Sequence, residues 1–425
     1  MVEAIHAAVE VIETTVVNGV PIVCETIPFF KSTSFAIWVF AGARDEPEEK
    51  SGLFHFMEHL VFKGTANRDA GGIAIEIDEL GGLINAFTSR EITCYSGHVI
   101  AQRLDRAFDL IADITLNSSF PDDELELERQ VILEEMRSIE DNPSEFVYDR
   151  LYPRRWAGHP LGKLITGSPE TVKSLTRDDL ISLKSNFYTP PHIVVTACGS
   201  VKMPELERLV TNYFGDIKRN EKKRDLKAPA SKAGLEVIQK PLEQAHVLLA
   251  ADGIPVTSPR RHELLLLNII LGDGVSSRLF QNIREKQGLA YSIYSFFDQY
   301  IDAGLFGVYA ASSPDVLRPL WETALTELDK IADKPPEAKE LARAKTQVSD
   351  NLKMSFESLG VRLSQIAHQT LYYGKVFTLD EMLEHVNAVK ADDVRGLAEE
   401  LLGRKNFTVL ALGPVEEDQV GFIAN

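Results

Sequence analysis

The chain is written twice. The stretch VKSLTRDDLISLKSNFYTPPHIVVTACGSV begins at Val172, and VNAVKADDVRGLAEELLGRKNFTVLALGPV begins at Val386. Laid together without a gap, Asp178 and Asp179 fall on Asp392 and Asp393, Leu183 on Leu397, and Gly199 on Gly413. Each copy runs from an amphipathic pattern into a β-rich segment ending in Gly-x-Val. A constant offset over a whole helix–strand unit predicts two domains of one topology. At 425 residues the chain is long enough for both. The charged, apolar-poor stretch DIKRNEKKRDLKAPASKAG, from Asp216 to Gly234, reads as the linker between them. The expected division is therefore 1–217, a linker at 218–234, and 235–425.

Each half mixes strands with helices. FAIWVFAGARDEP reads as a strand entering a turn, and CYSGHVI as a second strand. AQRLDRAFDLIADITLN places Leu104, Ala107, Phe108 and Ile111 at helical spacing. The expected class is α+β, with a sheet packed by helices on one side in each domain.

The halves differ at one point. The first contains HFMEH, His55 to His59, inside SGLFHFMEHLVFKGT; the same shift lands on LLNIILGDGVSSRL, an apolar helix pattern without His or Glu. Ser51 as N-cap and Gly64 as a stop predict a helix from about Gly52 to Lys63. At about 100° per residue, with His55 at zero, His59 lies near +40° and Glu58 near −60°. Three titratable side chains then share one face of an apolar helix, and burying them without partners costs several kcal/mol. Two imidazoles at i and i+4 form a clamp for a borderline metal such as Zn2+. A carboxylate beside the clamp can hold a water and take its proton as that water attacks a carbonyl. A metal needs a third ligand. DDELELERQVILEEMRSIEDNPSEF is a strong helical pattern in which Glu128 and Glu135 share a face. Glu124, Glu126, Glu134 and Glu140 compete with Glu135 there, and spacing alone does not choose among them.

The bulk numbers exclude some partners. Apolar residues make up 44% and charged residues 25%, as in folded soluble proteins. A net charge of −18 argues against nucleic-acid backbones and anionic membrane surfaces. Cys24, Cys94 and Cys198 are isolated and odd in number, so a reducing compartment without disulfides is expected. No apolar run spans a bilayer, and MVEAIHAAVEVIETT has no targeting pattern. Bacterial cytoplasm is the expected location, with the mitochondrial matrix as the alternative.

GLFHFMEHLVFKGT, LGGLINAFTSREITCYS, ERQVILEEM and SSRLFQNIREKQGLAYSIYSF, in this order and spacing, resemble the pitrilysin–insulinase family of inverted-zincin metallopeptidases (M16). The smaller branch is the match, with the β subunit of mitochondrial processing peptidase and its bacterial relatives. The resemblance implies one zinc per chain on His55, His59 and Glu135, with Glu58 as general base. It implies that Glu128 orients a ligating histidine. It makes Asn85, Ala86, Phe87 and Thr88 an edge strand to which an extended peptide adds. Arg284 and Tyr291 would bind the substrate carbonyl and steady the oxyanion. One such chain supplies half of a clamshell. A homodimer, or a heterodimer with a related inactive subunit, would then enclose short, unfolded and, given the charge, basic peptides. Two rivals stand beside this reading: a non-catalytic core subunit of the same fold, and a zinc hydrolase of non-peptide amides.

Overall fold

The computed structural model describes residues 11–220, 224, 226–403 and 406–424. The first ten residues, and with them part of the stretch read for a targeting pattern, lie outside these, as do four residues of the expected linker stretch. The described residues form two sheets. The first contains β1 (Val11–Val17), β2 (Val20–Thr26), β3 (Ser32–Val39), β4 (Leu83–Thr88), β5 (Thr93–Ile100) and β6 (Ile193–Gly199), in the order β1-β2-β6-β3-β5-β4. The second contains β7 (Gly234–Gln239), β8 (Ala245–Asp252), β9 (Ser292–Gln299), β10 (Gly304–Ser312) and β11 (Thr408–Gly413), in the order β7-β11-β8-β10-β9.

These orders superimpose strand for strand once β1 is set aside. In each sheet the first and last strands of the repeat, β2 with β6 and β7 with β11, are parallel. Every other pairing is antiparallel. The repeat in the sequence is therefore a repeat of topology, and the α+β class with helix-packed sheets holds. The fully buried alternate residues Phe35, Ile37 and Val39 of β3 meet the apolar faces of the helices Leu53–Leu60, Leu104–Asn117 and Met203–Phe214 in one core. Val247, Leu249 and Ala251 of β8 do the same beneath the helices Arg261–Leu271, Leu317–Asp333 and Ala391–Leu401.

The compact units are not contiguous in sequence. One comprises 1–136, 163–225 and 355–377; the other comprises 137–162, 226–354 and 378–425. The expected boundaries at 217 and 235 take no account of two helices that cross over. Pro143–Arg155, from the first half, packs Phe146, Val147 and Leu151 against Leu248, Leu305 and Leu410 of the second sheet. Leu359–Tyr373, from the second half, packs Leu359, Leu363 and Ala367 against Trp38, Val194 and Cys198 of the first. Both sheets are thus covered on two faces, and each half contributes one cover to the other's sheet. Hydrophobic periodicity identifies such helices, but it does not say which sheet they cover.

The Leu359–Tyr373 helix is fixed by a buried ion pair. Arg362 donates to both carboxylate oxygens of Glu25 on β2, at 2.7 to 3.2 Å, and both side chains are about 1% exposed. Removing one partner of such a pair leaves a buried charge uncompensated. Arg362→Ala is expected to cost ~3–5 kcal/mol. The double variant Arg362→Met with Glu25→Leu is expected to recover most of it. Thermal unfolding followed by tryptophan fluorescence, with Trp38 beside this helix, checks both.

Candidate metal centre

The helix Leu53–Leu60 carries the His55, Glu58 and His59 face, and a tight turn over Val61–Lys63 ends before Gly64. The predicted extent holds, but the predicted cap does not. Ser51 does not cap the helix; the N-cap residue is Gly52, with φ at 94° and no capping side chain of its own. The carboxylate of Glu46 accepts the Gly52 N–H at 2.8 Å and the Phe54 N–H at 2.7 Å instead. A carboxylate at this end also meets the positive pole of the helix. Burial pushes the Glu46 carboxyl up to about 8, opposed by these two N–H donors and by Lys163. Gly52 is required for a second reason: a Cβ there would meet the Thr166 carbonyl oxygen at 2.5 Å. The opposite side of the helix, with Phe54, Phe56, Met57 and Leu60, is wholly buried.

The second acidic helix, Asp122–Asp141, lies across this face. Arg129 anchors it by donating to the carbonyls of Val172 and Leu175, with its guanidinium 5.3 Å from the Phe56 ring centroid. The heptad pair then faces the two imidazoles. Glu135 Oε2 is 3.6 Å from His55 Nε2 and 3.5 Å from His59 Nε2. Glu134, the neighbouring competitor, is exposed. Glu128 Oε2 lies 3.0 Å from His59 Nδ1. A carboxylate accepts, so His59 carries its proton on Nδ1 and turns the bare Nε2 towards Glu135. The other oxygen of Glu128 pairs with Lys63 Nζ at 2.6 Å. Sequence reasoning missed Lys63, although it stands four residues after His59 and so shares its face.

The electrostatics follow from burial against pairing. Burial lowers His55 to about 4. Burial also works to lower His59, but Glu135 and Glu128 outweigh it and hold that imidazole above its ordinary value. The His59 imidazole beside it holds Glu135 below the usual carboxylate range. Burial raises Glu58, opposed by Thr88 and by the neighbouring His59.

The donor set fits a metal ion. His55, His59 and Glu135 each aim one ligand atom within 4.8 Å of the others. Glu135 Oε2 is buried and without a hydrogen-bond partner among the protein atoms, while two imidazole nitrogens flank it. Bond lengths of about 2.0–2.2 Å in a tetrahedral zinc site separate neighbouring ligand atoms by about 3.3–3.5 Å. Two imidazoles and one carboxylate leave a fourth position open, as in hydrolytic sites.

β4 borders this site. Among the described residues it is the last strand of its sheet, pairs only with β5, and ends at Thr88 beside Glu58. Its sequence LINAFT has no charge and no proline, the usual protections of an exposed edge. Asn85 and Phe87 are exposed, while Ala86 and Thr88 are half-buried. Arg284 and Tyr291 form a separate cluster in the second unit. Arg284 lies on a wide helical turn, Phe280–Glu285, and donates to the Tyr291 carbonyl at 3.0 Å. Its guanidinium sits 4.4 Å from the Tyr291 ring centroid, and Tyr291 is 76% exposed, so the ring remains available to a ligand.

Residues 22–168 match the family model described as insulinase (peptidase family M16), and residues 174–348 match the model described as the peptidase M16 inactive domain. An uncharacterized zinc protease of Streptomyces coelicolor is 36% identical over 99% of this chain and 93% of its own. An uncharacterized zinc protease of Bacillus subtilis is also 36% identical, over 93% of this chain and 97% of its own. A protease from Helicobacter pylori of known crystal structure shares the fold at a TM-score of 0.88 and 24% identity, over 96% of this chain and 100% of that one. The chain belongs to peptidase family M16. Among the described residues, no helix is long and apolar enough to cross a membrane.

The geometry separates neighbouring glutamates. Glu135→Gln is expected to lower affinity for a divalent metal by orders of magnitude, and Glu128→Gln by about 10–100-fold. Glu134→Gln is expected to leave it unchanged. Competition titration against a chromophoric chelator reads all three.

Proposed function

We propose that this chain is a zinc-dependent endopeptidase acting on short or unfolded peptides. The observation that carries this reading is the convergence of three candidate metal-ligand atoms and one further carboxylate, Glu58, beside the end of the edge strand β4. His55, His59 and Glu135 would hold the zinc, Glu128 and Lys63 fixing the tautomer of His59. Zinc held there supplies Lewis acidity to a water and to the scissile carbonyl.

The protein's own groups do the rest. β4 offers its free backbone N–H and C=O groups to an extended peptide, with Asn85 adding a side-chain amide. That pairing reads backbone more than side chain and brings one peptide carbonyl to Thr88 and Glu58. Glu58 takes the proton of the attacking water and delivers it to the leaving amine. Arg284 and Tyr291 would steady the oxyanion from the second domain. Because one chain carries both clusters in half-length form, we place them in one site across a dimer, closed as a chamber that excludes folded proteins.

A basic-peptide preference has support beyond the net charge. A cavity of about 410 Å3 in the second unit is lined by Glu145, Asp149, Tyr148 and Tyr294, with Ile139 and Ser144. Carboxylates beside tyrosine faces suit a lysine or arginine side chain.

Three measurements test these claims. Wild type is expected to cleave an unstructured lysine-containing peptide, and Glu58→Gln to lose at least about 1,000-fold in kcat with its metal retained. No cleavage of several such peptides by the metal-loaded wild type would leave a silent subunit of the same fold as the better reading. Mixing Glu58→Gln with Arg284→Ala protein is expected to restore part of the activity; heterodimers that form and stay inactive count against the shared site. In Glu145→Gln/Asp149→Asn, kcat/KM for a basic peptide is expected to fall about tenfold relative to a neutral one.

A further inference from the structure

Glu91 stands in the turn between β4 and β5, its side chain about 1% exposed, and the peptidase reading gives it no role. Three distant segments meet on it. Arg44, on the loop after β3, pairs with Glu91 Oε1 at 2.5 Å. The Tyr372 hydroxyl, from the crossed-over helix, donates to Oε2 at 2.9 Å. Arg224, from the linker stretch, donates to the Glu91 backbone carbonyl at 2.9 Å and to the Phe40 carbonyl at 3.0 Å. The same guanidinium makes a bidentate pair with Asp45, both bonds at 2.8 Å.

This knot joins the two halves of the proposed catalytic face. On one side the loop reaches the metal helix, because Glu46, next to Asp45, caps the helix carrying His55 and Glu58. On the other side the same loop grips the turn that ends β4. The Ala43 N–H donates to the Ser89 carbonyl at 3.1 Å and the Arg44 N–H to the Arg90 carbonyl at 3.0 Å. Gly42 permits the approach, since a Cβ there would stand 2.3 Å from the Ser89 carbonyl oxygen. Edge strands slip in register where nothing fixes them, and a slip of one residue turns every side chain to the other face.

We propose that Glu91 is a positioning residue: by gathering Arg44 and Tyr372 on its buried carboxylate and Arg224 on its backbone carbonyl, it fixes the register of the β4 edge against Glu58. The inference rests on the peptidase reading above. Arg224 and Tyr372 both follow the first sheet in sequence, so the substrate edge is set only once the linker stretch and the crossed-over helix have docked.

Tyr372→Phe tests it mildly, because the ring keeps its edge-on contact with Phe40. An extended peptide of about 20 residues uses the β4 edge; one of about four residues spans little more than the scissile bond. For the long peptide KM is expected to rise about 5–10-fold at unchanged kcat, with the short peptide unaffected. Amide hydrogen exchange over Leu83–Thr88 is expected to quicken, with Leu53–Leu60 unchanged. Arg224→Ala should act in the same direction and more strongly. Equal losses on both peptides, or an unchanged KM, or unchanged exchange at β4, overturns the proposal. If the wild type cleaves neither peptide, the peptidase reading fails by itself, and the exchange at β4 alone decides the positioning role.

Discussion

Putting three ionisable side chains on one face of a buried helix is the constraint that organises the first domain. Each group loses water, and unpaired burial costs several kcal/mol per group. The fold meets that cost by laying a second helix across the face, so that Glu128 and Glu135 satisfy His59 from two sides. Placing that helix requires Arg129 to be held by carbonyls, and placing the first requires Glu46 at its N-terminus. Much of the polar network in this unit can be traced to the demand created by HFMEH. The equivalent helix of the second domain has no such trio, and its buried polar group Asn268 is met by Ser295 of the adjoining strand.

The repeat explains how one architecture carries both a polar site and an apolar copy. Five strands in the same order give two equivalent frames, and the helix after the second strand of each frame occupies the same place. Chemistry is then a matter of which residues decorate that helix. The exchanged helices, Pro143–Arg155 and Leu359–Tyr373, add a dependence between the frames. The first sheet obtains one of its covers from a segment synthesised after most of the second domain. The helix that covers Glu25 also brings its counter-charge, Arg362. The first unit is therefore completed by a segment from the later half of the chain.

What the sequence made legible has a common physical cause. Local periodicity placed His55, Glu58 and His59 on one arc, and the same rule paired Glu128 with Glu135, because a helix fixes its own geometry within two turns. The repeat exposed the common topology because a constant offset preserves it. Selecting Glu135 over Glu134 needed either the family resemblance or the packing of two helices, since the two residues are adjacent and differ only in which face they present. Ser51 was the expected cap because it is the residue type that caps; the backbone turned at Gly52, and the cap came from Glu46 across a loop. Lys63 was within reach of the same helical arithmetic as His59. Glu91, Arg224 and Tyr372 were not, because their meeting depends on tertiary contacts that no local pattern encodes.

Edge strands expose a further consequence of the design. β4 lacks the charge or proline that normally guards such an edge, and β-pairing with other chains is the hazard that follows. On the peptidase reading proposed above, such guards would block the pairing with a peptide. Control must come from elsewhere. In this chain the strand is short, it is paired along its length with β5 and gripped at its turn, and its side chains alternate between exposure and partial burial. One side of the strand is left unpaired among the described residues, while the turn beside it is anchored on the buried Arg44–Glu91 pair.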